Sequence, residues 1–122
     1  MHCPRSHDYF GRSRFAFERL RSLGFNVCLG TDSLASNDSL SLFDEMRAFR
    51  KNFPKVCPED ILRMATVHPP RALHQDNSIG RIRSGFEADL VTVPCSGSTD
   101  VFEQIISCDA AVSWSMVNGN VN

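Results

Sequence analysis

Residues 26–37 read "NVCLGTDSLASN". Val27, Cys28 and Leu29 make the apolar run of a short buried strand, and Asp32 follows three residues later among small polar residues. A carboxylate at the mouth of a buried strand can be read two ways. Asp, Ser and Asn populate turns for hydrogen-bonding reasons alone, so Asp32 can simply cap one. Alternatively it is a working group. Catalytic side chains of α/β barrels gather on the loops that follow the strands. A carboxylate there can ligate a metal and take a proton from the water which that metal activates. Spacing alone leaves both readings open.

The stretch "FNVCLG" is apolar without alternation, so it expects cover on both faces and strand neighbours. Upstream, residues 13–23, "SRFAFERLRSL", place Phe17, Leu20 and Leu23 on one side of a helix that Gly24 stops. A helix running into a buried strand reads as an α/β unit. Downstream, residues 39–52 carry Leu42, Phe43, Met46 and Phe49 at helical spacing, with Asp38 a candidate N-cap and Pro54 beyond the end. Pro58, Glu59 and Asp60 open another helix, with proline in the first turn and acids at the positive end of the dipole. It should stop before Pro69-Pro70, where "RALH" adds a short turn. The expected core is Phe17, Leu20, Val27, Leu29, Leu42, Phe43, Met46, Ile61, Leu62 and Met64.

Beyond Asn77 the character changes. "IGRIRSGFEADLVTV" reads as a β-hairpin-like element turning at Gly85, "DVFEQIIS" as a short helix and "AVSWSMV" as a strand. Asn118-Gly119 is a strong two-residue hairpin signal whose return strand would start at Val121. Both ends of the sequence read as cut from something longer: a motif begins at His2 without lead-in, and the last hairpin is unfinished.

The 122 residues amount to about one domain. Thirteen basic and fourteen acidic side chains leave a formal charge of −1, which offers no basic footprint for nucleic acid and no polybasic membrane patch. No apolar run approaches the ~20 residues of a membrane-spanning helix. Five dispersed cysteines without a CxxC pair point to buried, reduced thiols in a cytoplasmic protein, not to a disulfide framework or a zinc finger.

The segments "HCPRSH", "LGTDSLASN", "SLFDEMR" and "IGRIRSGFEADLVTV" occur here in one order. Together they resemble the C-terminal part of the metal-dependent amidohydrolase superfamily, in the branch of adenosine- and S-adenosylhomocysteine-type deaminases, guanine deaminases and triazine hydrolases. The resemblance covers nearly the whole chain. It implies an α/β fold class: the C-terminal fragment of a (β/α)8 TIM-type barrel, with its last one to two strands and covering helices, plus part of a small β-sandwich. Met1 to Cys3 would close the seventh strand and residues 25–29 the eighth. Residues 1–77 would belong to the barrel and 78–122 to the composite β-sandwich.

The resemblance also implies chemistry. Asp32 matches the aspartate that ligates the metal and shuttles protons. Ser36 falls on a loop that can approach substrate, and His2 opens an HCP-type motif with an implied active-site, substrate-side role. His7 stands where relatives often carry asparagine and receives no role. His68 and His74 are expected to be solvated or capping. The implied cofactor is one divalent metal, zinc before iron, and the implied partners are a small-molecule substrate and the absent N-terminal half of the barrel, with a homo-oligomeric parent allowed. The family's HxH pair, its other histidine ligands and the glutamate beside the metal have no counterpart in these residues. One carboxylate does not hold a catalytic zinc that takes three protein ligands. The expected function is therefore that of a piece of a hydrolase of non-peptide C–N bonds, most naturally a purine-type deaminase, and inactive by itself. A hydrolytic dehalogenase built from the same parts and a non-catalytic binding or assembly module are the alternatives.

Overall fold

In the computed structural model, residues 1–97 and 100–121 are described. Their helices are α1 (Pro4–Tyr9), α2 (Phe17–Ser22), α3 (Leu42–Asn52), α4 (Pro58–Ala65), α5 (His68–Ala72) and α6 (Val101–Ile106). Their strands are β1 (Leu90–Val91), β2 (Ser115–Val117) and β3 (Asn120–Val121).

The segment expected as a strand at residues 25–29 makes no regular ladder. A parallel bridge joins His2 to Leu29, through His2 N–H to the Cys28 carbonyl at 2.8 Å and Gly30 N–H to the His2 carbonyl at 3.0 Å. It is a single isolated bridge, the shortest form that parallel pairing takes. The opposite edge finds other partners. Leu29 N–H donates to the Met64 carbonyl at 2.9 Å, and His68 Nδ1 lies 2.9 Å from the Val27 carbonyl. A buried backbone must satisfy its polar groups, and here the end of α4 and the start of α5 do so. His68 is thus a backbone-holding histidine, while His74 is an exposed turn residue with φ of +57°.

The core forms where α2, α3, α4 and α6 meet the Val27–Leu29 segment. Phe17, Val27, Leu29, Met46, Ile61 and Met64 are buried as expected, with Leu20, Phe43 and Leu62 packed partly against them. Leu42 is not in the core: it is the first residue of α3 and faces solvent. Phe49, Phe53, Val56 and Ile106 complete the cluster. Phe49 stacks on Phe53 with ring centroids 4.7 Å apart and meets Phe17 edge-on at 5.0 Å. Apolar burial stabilises by about 25 cal/mol per Å², and aromatic rings bring large area to it.

Several boundaries differ from expectation for local reasons. α2 begins at Phe17, not residue 13, because the carbonyl of Ser13 is engaged by His7 Nε2 at 2.7 Å. Ser41 occupies the N-cap position of α3 without a side-chain capping bond, and Asp38 pairs with Arg5 instead. No hairpin forms at 79–93. Gly80 and Gly85 take φ of +85° and +83°, Glu87 N–H closes a loop onto the Ser78 carbonyl at 2.8 Å, and only Leu90–Val91 remains extended. The Asn118-Gly119 hairpin does form. Both residues have positive φ, +48° and +78°, and β2 pairs antiparallel with β3 in the register Val117↔Asn120. β1 adds to β2 with Leu90 opposite Met116, giving an antiparallel sheet in the order β1-β2-β3.

α6 follows its Asp100 cap, which accepts from Glu103 N–H, and reaches back to the main core. Ile106 is fully buried there, and Arg50 pairs with Glu103 at 2.9 Å. All five cysteines are free, but Cys28 alone is buried, while Cys57 and Cys95 face solvent. No helix among the described residues is long and apolar enough to cross a membrane.

Candidate active site

Asp32 lies just past the paired Leu29, on the loop that leaves the strand segment. Its backbone sits in the left-handed region at φ of +59°. Aspartate tolerates this region better than most residues. A non-glycine residue held there still stores strain, which persists only where the surroundings enforce it.

The side chain is exposed, and three donors orient it. Ser6 Oγ donates to Asp32 Oδ2 at 2.8 Å, Ser36 Oγ to the same oxygen at 3.0 Å, and Ser33 N–H to Oδ1 at 2.9 Å. These bonds, the Ser6 hydroxyl first, hold the carboxyl below its ordinary pKa, so it stands ionised. Oδ2 already takes two hydroxyl donors; Oδ1 takes one amide and keeps accepting capacity toward solvent. Ser6 and Ser36 are themselves buried and 3.1 Å apart.

Of the sequence-derived site residues, Asp32 and Ser36 are in direct contact. His2 is not gathered with them. Its ring is buried, stacked on Phe15 at 3.8 Å and edge-on to Phe49 and His7. Alternation along the chain accounts for this placement. Met1 lies over Gly30, and Cys3 lies close enough to Asp32 for that charge to help raise its thiol pKa after burial, whereas His2 between them faces the opposite, aromatic layer. Burial, with the neighbouring His7 next, lowers the His2 pKa to about 4, so the ring is neutral.

Ser6 was missed in the sequence because nothing in "HCPRSH" separates a carboxylate-binding hydroxyl from a surface serine. Glu45 was missed because it sits inside a helical pattern that reads as charged surface. It is fully buried. Its Oε2 accepts from Arg5 N–H at 3.0 Å, and its Oε1 accepts from Asn37 Nδ2 at 2.6 Å. Burial raises its pKa, opposed by those two bonds and by the Arg5 charge. Arg5 itself pairs with Asp44 at 3.1 Å and with Asp38. A groove of about 560 Å³ lined by Arg5, Tyr9 and residues 34–38 opens beside the loop.

The donor set at Asp32 fits one ligand of a divalent metal: an exposed, ionised carboxylate with one oxygen still able to accept. No group of three or more His, Cys, Asp or Glu side chains gathers among the described residues, so these residues do not assemble a three-ligand site.

Comparison with known proteins supplies the context. Residues 1–121 match the family model described as the amidohydrolase family. A 5-methylthioadenosine/S-adenosylhomocysteine deaminase from Pyrococcus furiosus is 38% identical over 100 residues, covering 76% of this chain and 23% of the relative. An adenosine deaminase from Xanthomonas campestris, solved with bound zinc, superposes with a TM-score of 0.88 at 29% identity, over 98% of this chain and 30% of that one. An aminofutalosine deaminase from Helicobacter pylori does so with a TM-score of 0.84 at 31% identity, over 98% and 31%. The chain thus spans about a quarter to a third of the length of these proteins.

Proposed function

This chain belongs to the amidohydrolase family, and from that premise we propose that it is the C-terminal portion of a metal-dependent enzyme that hydrolytically deaminates an adenosine-like nucleoside. The observation that carries the proposal is Asp32: an ionised carboxylate with left-handed backbone, just past a segment joined to His2 by a parallel bridge, its two oxygens oriented by three donors. A capping aspartate has no need of two buried hydroxyls on one oxygen. The relatives and solved structures described above are deaminases, which gives weight to loss of ammonia over loss of halide.

Residues 1–77 then supply the seventh and eighth strand positions and covering helices of the barrel. Residues 78–122, with the small antiparallel sheet, supply part of a β-sandwich completed by the other end of the parent chain. Asp32 contributes one ligand to a divalent metal, zinc by analogy with the zinc-bound neighbour. When bound, such an ion lowers the pKa of a water toward neutrality. The Asp32 carboxylate would accept a proton from the attacking water as its oxygen adds to the amine-bearing ring carbon, and would return it to the departing nitrogen. A C–O bond forms, the C–N bond breaks and ammonia leaves. Ser6 and Ser36 keep Oδ2 occupied, which fixes the direction in which Oδ1 points. Ser36 also borders the groove that would admit substrate, and His2 packs behind the strand. Five free cysteines accord with a cytoplasmic setting.

The deciding experiment is to assay the full-length parent for ammonia release from purine nucleosides and from guanine. Metal-dependent release from an adenosine-like nucleoside is expected. Absence of ammonia from every one of them would overturn the proposal.

A further inference from the structure

Glu45 is a carboxylate with no solvent exposure on α3, away from the metal-facing oxygen of Asp32, and the reaction proposed above leaves it without a task. Burying an ionisable group contributes little stability over an apolar residue of the same volume. Its presence therefore calls for an explanation in placement. The hydrogen bonds supply one. Oε1 takes Asn37 Nδ2 at 2.6 Å, and the same amide nitrogen donates to the Thr31 carbonyl at 2.9 Å, one residue before Asp32. Oε2 takes the backbone N–H of Arg5 at 3.0 Å, one residue before Ser6, whose hydroxyl holds Asp32 Oδ2. One carboxylate thus ties down both the backbone that carries Asp32 and the hydroxyl that aims it. Asn37 is buried as well, so the relay is shielded from competing water.

We propose that the Glu45–Asn37 pair is a positioning clamp for Asp32, holding the loop from Thr31 to Asn37 and the start of α1 in register so that the strained carboxylate keeps one direction. Resting on the metal-ligand reading of Asp32, this assigns Glu45 a role neither in binding substrate nor in transferring protons. Buried polar pairs of this kind specify geometry more than they add stability. Partners that orient a metal ligand typically cost 10–100-fold in metal affinity or activity when removed.

The test uses the full-length parent with zinc. Glu45→Gln, which keeps the volume but offers a donor where an acceptor is needed, should weaken zinc binding and lower kcat by about 10–100-fold while KM moves by less than about threefold. The double variant Asn37→Leu/Glu45→Met removes both partners at once and should melt within a few degrees of wild type, since replacing a hydrogen-bonded pair by apolar groups can be nearly neutral for stability. It should still lose zinc affinity to the same extent as Glu45→Gln. Variants that bind zinc and turn over as wild type does would overturn the clamp. So would a loss of activity that only follows the loss of folded protein. Should wild-type parent neither bind zinc nor release ammonia, the reading of the preceding section fails instead. The clamp is then decided by amide hydrogen exchange at Thr31 to Ser33, faster in Glu45→Gln if the clamp holds the loop and unchanged if it does not.

Discussion

Ser6 Oγ stands 2.8 Å from Asp32 Oδ2, joining the first helix to the loop after Leu29 across 26 residues of chain. Because that hydroxyl is the foremost cause of the depressed Asp32 pKa, removing it has a definite sign. Ser6→Ala should raise the carboxyl toward its ordinary value, so ionised Asp32 is lost at a higher pH on acidification. The acid limb of kcat/KM in the parent enzyme should move upward, with the plateau down by about 10–100-fold as for other residues that orient a metal ligand. An unmoved acid limb would mean that Ser6 does not govern this carboxylate.

Asp32→Asn keeps the shape of the side chain and the acceptor that Ser6 or Ser36 can use, but removes the proton-accepting oxygen. General acid–base groups typically contribute about 10²–10⁴-fold to rate, and the parent should lose at least that much in kcat. Thermal stability should hardly change, since the side chain is exposed. Retention of more than a tenth of wild-type kcat would remove Asp32 from the chemistry.

The strand-to-loop signal at Val27–Asp32 was legible because it depends on local chemistry: an apolar run, a glycine and a carboxylate. So was the Asn118-Gly119 turn, whose positive φ values few other residue pairs accept. The extended ladder expected at residues 25–29 was not, because strand hydrogen bonds belong to partners, and among the described residues His2 alone supplies one, as an isolated bridge. The failure at 79–93 has a related cause: alternation of Ile79 and Ile82 carries no weight when Gly80 and Gly85 bend the chain and Ile82 stays 91% exposed. Glu45 and Ser6 were invisible for a third reason. A buried Glu and a surface Glu share one letter, and only tertiary contact with Arg5 and Asn37 separates them.

His2 sets a pH dependence of stability. Its folded pKa of about 4 lies below the ordinary 6.5, with burial first and His7 second among the causes, and Asp8 opposes the lowering. The unfolded chain therefore binds a proton that the folded one refuses. Stability from neutral His2 is present above pH about 6.5 and is lost as pH falls toward 4, by at most about 3 kcal/mol. Glu45 acts with the opposite sign, its raised pKa favouring the fold in acid. His2→Phe, which can stack on Phe15 without titrating, should flatten the fall in Tm of the parent between pH 7 and 4.5; an unchanged slope would assign the dependence elsewhere.

Gly80 combines two demands. Its φ is +85°, and a Cβ there would sit 2.6 Å from the Thr66 carbonyl oxygen, which is backbone and has little room to move. Gly80→Ala should destabilise the parent by more than ~1 kcal/mol, through strain at positive φ together with displacement of the end of α4. Gly85→Ala shares the positive φ but meets open space, so it should cost less. Equal losses of Tm in the two variants would show that backbone strain alone decides both.

The isolated 122-residue chain should behave unlike a complete metalloprotein. Among the described residues His2 and Leu29 pair with each other alone as strand partners, while Leu23, Phe25, Leu34 and Leu40 are each more than half exposed. At about 25 cal/mol per Å², a few hundred Å² of apolar surface left wet rivals the 5–15 kcal/mol that stabilises an ordinary domain. Unpaired strand edges add a route to self-association. We expect the chain to be poorly soluble or self-associating, to melt without a sharp transition, and to bind zinc no better than any exposed carboxylate, since Asp32 has no co-ligands among the described residues. Asp32→Asn should accordingly change nothing measurable in it, in contrast to its effect on the parent. Thermal unfolding, sedimentation and zinc titration of the wild-type chain and Asp32→Asn decide the matter. A cooperative melt from a monomer, with micromolar zinc affinity that Asp32→Asn abolishes, would show that these residues form a working metal site by themselves.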